Sequence, residues 1–256
     1  MEQRLPTFVF IQPKVDDDRI AQENRFRLCQ NAPSQSTSHN VMNYQAAIFD
    51  MDGLLLDTER VCMRIFQEAC EAQSLPLYKD VYLSIIGRNA AGIEVIFRKA
   101  YGDDLDRLHH EWRTRYDAVV KHQAIPVKEG VVELLEWLKQ QGLPIAVATS
   151  TAKEVARKKL ELAGLSKYFD NLTTGCEVSH GKPDPEIYLL AASRLNVDPT
   201  KCLAFEDSNN GVRSAVAANM VTFQIPDLVE PCAEVRDFGH AIVPSLHDAL
   251  FELKKA

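Results

Sequence analysis

Four short polar clusters stand where apolar runs stop, and their residue types could do chemistry. The first is Asp50-Met51-Asp52-Gly53. Two carboxylates at i and i+2 on an extended chain point to the same side. Such a pair raises the pKa of one member or recruits a metal. It offers one ionised group for attack and one that can carry a proton. Gly53 permits a sharp turn. The second cluster, Ala148-Thr149-Ser150-Thr151, puts hydroxyls and backbone N–H groups ahead of a helix. That suits a phosphate oxygen and equally an ordinary helix cap. The third, Gly181-Lys182-Pro183-Asp184-Pro185, gives Lys182 a rigid lead and a defined direction. The fourth, Phe205-Glu206-Asp207-Ser208-Asn209-Asn210-Gly211-Val212, sets adjacent acids after an apolar strand. They could bind a hard cation through oxygen or simply cap a helix. Singly, each cluster reads as an ordinary turn or cap. Jointly, Asp50, Asp52, Glu206, Asp207, Thr149 and Lys182 have the composition of a magnesium-dependent phosphoryl-transfer site, in which the metal and Lys182 offset the carboxylates.

The elements that must position these clusters are legible as alternating patterns. Buried-strand runs are Ala46–Phe49, Pro144–Ala148, Leu172–Thr174, Cys202–Phe205 and Val221–Ile225. Helical patterns lie between them. Val131, Leu134, Leu135 and Leu138 form an i, i+3, i+4, i+7 stripe closed by Gly142. Val155, Lys159, Leu160 and Leu162 make a less regular helix that ends at Gly164. Pro185–Leu195 starts with Pro in its first turn, and Gly211–Ala218 is short. Strands alternating with helices predict an α/β fold with a Rossmann-like parallel-sheet core. From Thr58 to Pro126 the alternation breaks into helices, including Glu59–Gln73, Ala91–Tyr101 and Asp104–Gln123, whose charges balance. Ligands in such sheets bind beyond the carboxyl ends of the strands, so this insert would sit over the site as a lid. The expected organisation is therefore an extension over 1–42, an α/β core over 43–57 and 127–256, and a helical-bundle cap over 58–126. The extension mixes polar residues without a helical or strand period and reads as mostly disordered. Met42 stands just before the first strand and could be a second start.

Composition narrows the partners. The 256 residues carry 29 Lys and Arg against 36 Asp and Glu, a net charge of −7. That balance argues against nucleic acid or an anionic membrane as the main partner. A small anionic substrate stays open, because a local cluster can override the net field. No apolar run approaches a membrane span, and the N-terminus does not read as a signal peptide. The six cysteines show no C-x-x-C spacing, which points to reduced thiols and a cytoplasmic protein.

The segments DMDGLLLDTE, ATST, GKPDPEIY and FEDSNNGV, in this order, resemble the four signatures of the haloacid dehalogenase superfamily. The resemblance covers about residues 44–250. The insert after the first signature resembles the small cap of the branch that holds β-phosphoglucomutase and many sugar-phosphate phosphatases. The resemblance implies Asp50 as nucleophile, forming an aspartyl-phosphate. It implies that Asp52 protonates the leaving alcohol and then activates water. Thr149 and Lys182 would hold phosphoryl oxygens, with Ser150 beside them. Asp50, the backbone carbonyl of Asp52, and Asp207 would hold Mg²⁺, with Glu206 helping directly or through water. Ser208 and Asn210 would stand behind them.

Two positions depart from the family. Twelve residues after the nucleophile the mutase branch has a His that helps hold a hexose phosphate; here it is Cys62, and a thiol cannot make the same hydrogen bonds. Phosphatase is therefore favoured over the alternative, a β-phosphoglucomutase-type mutase. A non-catalytic phosphometabolite-binding protein is a weaker third reading, since a binder needs neither a nucleophile nor a second acid. Asn219 stands where the family often has Gly and should affect only a turn. In the cap, Arg88 is a candidate for substrate recognition. His109, His110, His122 and His180 receive no catalytic role, and Trp112 and Trp137 read as packing residues. The expected partner is a small phosphorylated metabolite, with a monomer favoured.

Overall fold

The structure is a computed structural model that describes residues 44–86 and 90–255. The expectations for residues 1–42 and for Arg88 lie outside the described residues. Six strands form one sheet: β1 (Ala46–Phe49), β2 (Ile145–Thr149), β3 (Asn171–Thr174), β4 (Cys202–Glu206), β5 (Val221–Gln224) and β6 (Ala241–Ile242). Every pairing is parallel, in the order β3-β2-β1-β4-β5-β6. The Rossmann-like α/β expectation holds. β6, only two residues long, carries no sequence pattern and was not anticipated.

The sheet's two faces differ in bulk, as the two-residue strand period dictates. One face carries Ala47, Phe49, Ile145, Val147, Leu203, Phe205 and Phe223. Against it pack α5 (Val131–Gln140), through the predicted stripe, α6 (Lys153–Leu162) and α10 (Leu246–Lys255). Phe205 is stacked between Phe49 and Phe223, at ring-centroid distances of 4.4 and 5.4 Å. The other face is small: Ala46, Ala146, Ala148 and Ala204 let α7 (Glu186–Leu195) and α8 (Asn209–Ala217) approach closely. Between α8 and β5, Asn219 adopts a left-handed φ of 60°, one that Asn tolerates better than most side chains. A single helical turn, α9 (Ala233–Arg236), lies between β5 and β6.

Between β1 and α5 the described residues form four α-helices: α1 (Thr58–Ala72), α2 (Lys79–Ile85), α3 (Ala90–Tyr101) and α4 (Leu105–His122). α2 has no clear apolar stripe in sequence and was not anticipated. These helices enclose their own aromatic core, with Phe66 against Tyr82, Phe97, Tyr101 and Trp112. The two connections into the insertion run side by side. Asp57 N–H donates to Pro126 O at 2.9 Å and Lys128 N–H to Leu55 O at 3.0 Å. Arg60 and Lys128 both reach Asp227, beyond β5, at 2.6 Å. α4 packs back onto α6. The strand order reverses between β1 and β4, the switch point at which open α/β sheets place their ligands.

Candidate active site

The switch point gathers the sequence's polar clusters. Asp50 follows β1 and is 7% exposed, while Glu206 ends β4 and is fully buried. Lys182 stands on the turn ahead of α7, joined by a cis peptide to Pro183. Its ammonium donates to Asp50 Oδ1 at 2.5 Å, Glu206 Oε1 at 2.6 Å and Ala148 O at 3.0 Å. Tyr188, in the first turn of α7, donates its hydroxyl to Glu206 Oε1 at 2.9 Å. Glu206 Oε2 accepts from Asp207 N, Ser208 N and Ser208 Oγ at 3.1–3.2 Å. Glu206 is thus the hub that fixes Lys182 and the β4–α8 turn.

Two glycines make this crowding feasible. Gly53 has a left-handed φ of 83°, and a Cβ there would overlap the Asp207 carboxylate. A Cβ on Gly211 would overlap the Glu206 carboxylate. Both are backbone positions that only glycine fills without displacement.

The electrostatics are lopsided. Oxygens of Asp50, Glu206 and Asp207 lie within 4.8 Å of one another, and Lys182 is the cation bonded to two of these acids. Burial pushes the Asp50 carboxyl up to about 7; Lys182 opposes the shift, and Glu206 and Asp52 add to it. Burial and then the charges of Glu206 and Asp50 push Asp207 well above the usual carboxylate range. An all-oxygen donor set with excess negative charge fits a hard divalent cation. Asp50, Asp207 and Glu206 are therefore the residues that could hold one, Glu206 with both oxygens already hydrogen-bonded.

Asp52 sits in the opposite environment. Lys159, on α6 and 2% exposed, donates to Asp52 Oδ1 at 2.7 Å. Thr151 Oγ donates to Asp52 Oδ2 at 2.6 Å, and Thr149 Oγ is 3.4 Å from the same oxygen. Burial works against ionisation, but Lys159 and Thr151 outweigh it and hold the Asp52 carboxyl below its usual range. Thr149, expected to hold a phosphoryl oxygen, also accepts from Thr151 N–H at 3.1 Å. Ser150 is half-buried, and its carbonyl lies so close to Gly175 that a Cβ there would stand 2.7 Å away.

Three neighbours of these residues carry no sequence signature of their role. Lys159 read as one more position of an irregular helical stripe. Tyr188 stood inside GKPDPEIY without a role. Glu59, at the start of α1, is pushed up to about 7 by burial and by the charges of Asp52 and Asp227. The available signal for Lys159 is its register: of the consecutive cations Arg157, Lys158 and Lys159 between the buried Ala156 and Leu160, it stands three residues after Ala156 and next to Leu160. Trp112 packs among the insertion's aromatics and Trp137 against the main core, as expected.

The model of the haloacid dehalogenase-like hydrolase family matches residues 44–219. The chain belongs to the haloacid dehalogenase-like hydrolase family. It is 37% identical over 182 residues to the phosphorylated carbohydrates phosphatase of Thermotoga maritima, covering 69% of this chain and 82% of that one. It is 32% identical over 179 residues to fructose-1-phosphate phosphatase YqaB of Escherichia coli K12, covering 69% and 94%. Among solved structures, CbbY from Rhodobacter sphaeroides in complex with phosphate is 25% identical, with a TM-score of 0.64 over 82% of this chain and 99% of that one. The expected class, a phosphomonoester hydrolase of this family, accords with these relatives. Among the described residues no helix is long and apolar enough to cross a membrane.

Proposed function

We propose that this protein is a Mg²⁺-dependent phosphatase of a small sugar phosphate, acting through an aspartyl-phosphate on Asp50. The observation that carries the reading is Asp50 beside Lys182, Glu206 and Asp207, with a differently solvated Asp52 two residues on. Asp50 Oδ attacks phosphorus, and the bond from phosphorus to the sugar oxygen breaks. Asp52 gives that oxygen its proton, so the sugar leaves as a neutral alcohol. Asp52 then takes a proton from water as the water oxygen attacks the phosphorus. The acyl phosphate bond breaks, free phosphate leaves and Asp50 is restored. Lys182 holds Asp50 and a phosphoryl oxygen, with Thr149 and Ser150 alongside. Asp50, Asp207 and the Asp52 carbonyl, with Glu206 beside them, would hold Mg²⁺, which would supply charge neutralisation for the transferring group. The helical insertion serves as the cap that excludes water, and Arg88 contributes to substrate recognition. The names of the relatives, which cover phosphorylated carbohydrates and fructose 1-phosphate, support a sugar phosphate.

Cys62 supports hydrolysis over mutation. It is half-buried on α1, and its thiol is pushed up to about 12 by burial and by Glu59. It stays neutral and cannot offer what a histidine would there. The test is phosphate release over a panel of hexose, polyol and nucleoside phosphates, with Mg²⁺ and with EDTA. Release from sugar phosphates that EDTA abolishes, and that Asp50→Asn lacks while keeping its circular dichroism, is expected. EDTA-insensitive release would overturn the metal assignment, and an active Asp50→Asn the nucleophile.

A further inference from the structure

Lys159 is a buried ammonium on the core-facing side of α6, beside Ala156 and Leu160, and its partner lies 107 positions away in sequence. It occupies Asp52 Oδ1 while Thr151 occupies Oδ2, so the carboxylate is gripped at both oxygens. Above the pair stands Tyr116 of α4, whose ring centroid is 5.6 Å from Lys159 Nζ. Lys159 therefore joins three separate pieces: the loop after β1, the core helix α6 and the insertion. We propose that Lys159 is a positioning residue for the reaction, fixing the plane in which Asp52 exchanges protons with the leaving alcohol and with water. This rests on the phosphatase reading. A buried ammonium is expensive to desolvate. Anchoring α6 to the β1 loop needs no charge, since an apolar side chain would do it without that cost. What the charge adds is direction: an ion pair with a second donor on the other oxygen leaves the carboxylate one rotamer, whereas threonines alone leave it free to turn.

The experiment separates direction from mere stability through the leaving group. The specificity constant covers the steps up to departure of the alcohol. A sugar alkoxide needs Asp52's proton to leave, whereas p-nitrophenolate does not. Lys159→Met, Lys159→Arg and an Asp52→Asn reference are assayed with a hexose phosphate and with p-nitrophenyl phosphate, alongside thermal melts. Lys159→Met is expected to lower kcat/KM about 100-fold on the sugar phosphate, the scale of a general acid's contribution, and less than about 5-fold on the aryl ester. The loss falls in kcat, with KM changed less than about 3-fold, and Lys159→Arg restores at least about 10-fold. If Lys159→Met does not fold, Lys159→Gln carries the same comparison. Equal losses on both esters, no loss, or an arginine variant no better than methionine overturns the proposal while the phosphatase reading stands. A wild type that releases no phosphate from either ester overturns both.

Discussion

Replacing Lys182 by Met would remove the cation bonded to both Asp50 and Glu206 in a nearly closed site. The Lys182 side chain is 7% exposed, that of Asp50 9%, and that of Glu206 0%. Deleting one partner of a buried ion pair costs about 3–5 kcal/mol, because the other charge stays buried and uncompensated. For a chain of this size that corresponds to a melting-point drop of roughly 6–20 °C. The cost depends on pH with a definite sign. The folded-state pKa of Asp50 is about 7, above its ordinary carboxylate value. Asp50 is therefore ionised above about 7 in the wild type, and there it leans on Lys182. Without Lys182 it takes up a proton at still higher pH. The stability gap between wild type and variant is thus widest near pH 8 and narrows toward pH 5. Urea unfolding in EDTA, followed by circular dichroism at both pH values, measures it. Adding Glu206→Gln to Lys182→Met removes one of the stranded charges and should recover about half of the loss. A single-variant loss below about 1 kcal/mol at pH 8, or a gap that widens as pH falls, would refute the reasoning.

Phe205→Ala opens the three-ring stack in the central strands and should cost about 3–5 kcal/mol in urea unfolding. Gly53→Ala, which forces a Cβ into the Asp207 carboxylate at a left-handed backbone position, should cost about 1–3 kcal/mol and weaken Mg²⁺ binding in calorimetry. Glu177 receives Arg194 at 3.0 Å and Lys153 at 3.2 Å. Although burial works the other way, these cations and Thr174 bring its carboxyl down to about 2. A depressed carboxyl stabilises the fold fully above its unfolded value and loses that stability as pH falls through the folded one. Glu177→Gln should therefore lose about 1–2 kcal/mol at pH 7, discounted for solvent screening, and match the wild type near pH 2. Asp227→Ala removes the buried carboxylate that receives Lys128 and Arg60 where the two connections meet, Arg60 keeping Asp57, and a loss of about 1–3 kcal/mol is expected from melts.

What was readable in the chain follows from how local each feature is. Asp50, Thr149 and Glu206–Asp207 were readable because each ends an apolar strand run, and a parallel sheet aligns those ends. Lys182 was readable because two prolines fix its turn. β6 and α9 are too short to carry a period. The strand order is not periodic either, so nothing local placed β4 beside β1. Lys159 is the instructive miss. Its helix register puts it with Ala156 and Leu160, so the periodicity marked a core position, and only the tertiary fold supplies Asp52 as the reason a charge is tolerated there. Tyr188 is similar, a core aromatic by position whose hydroxyl is satisfied only by Glu206.

The two aspartates at the end of β1 illustrate why both halves of the site are needed. Two residues apart, they are pushed in opposite directions: Asp50 up to about 7, Asp52 down. Environments that separate two carboxyls assign them different roles. Yet this order is the reverse of what the proposed first step would require, an ionised nucleophile and a protonated acid. On the proposed mechanism, the charges of the bound cation and substrate would correct it. A divalent cation beside Asp50 and Asp207 would favour their ionised forms, and a phosphoryl dianion beside Asp52 would oppose its charge. Lys159 would then limit how far Asp52 is raised, leaving it able to accept water's proton in the proposed second step. A site with Lys159 but no cation at Asp50 would be stalled before attack. One with the cation but no Lys159 would hold an acid whose direction is unset.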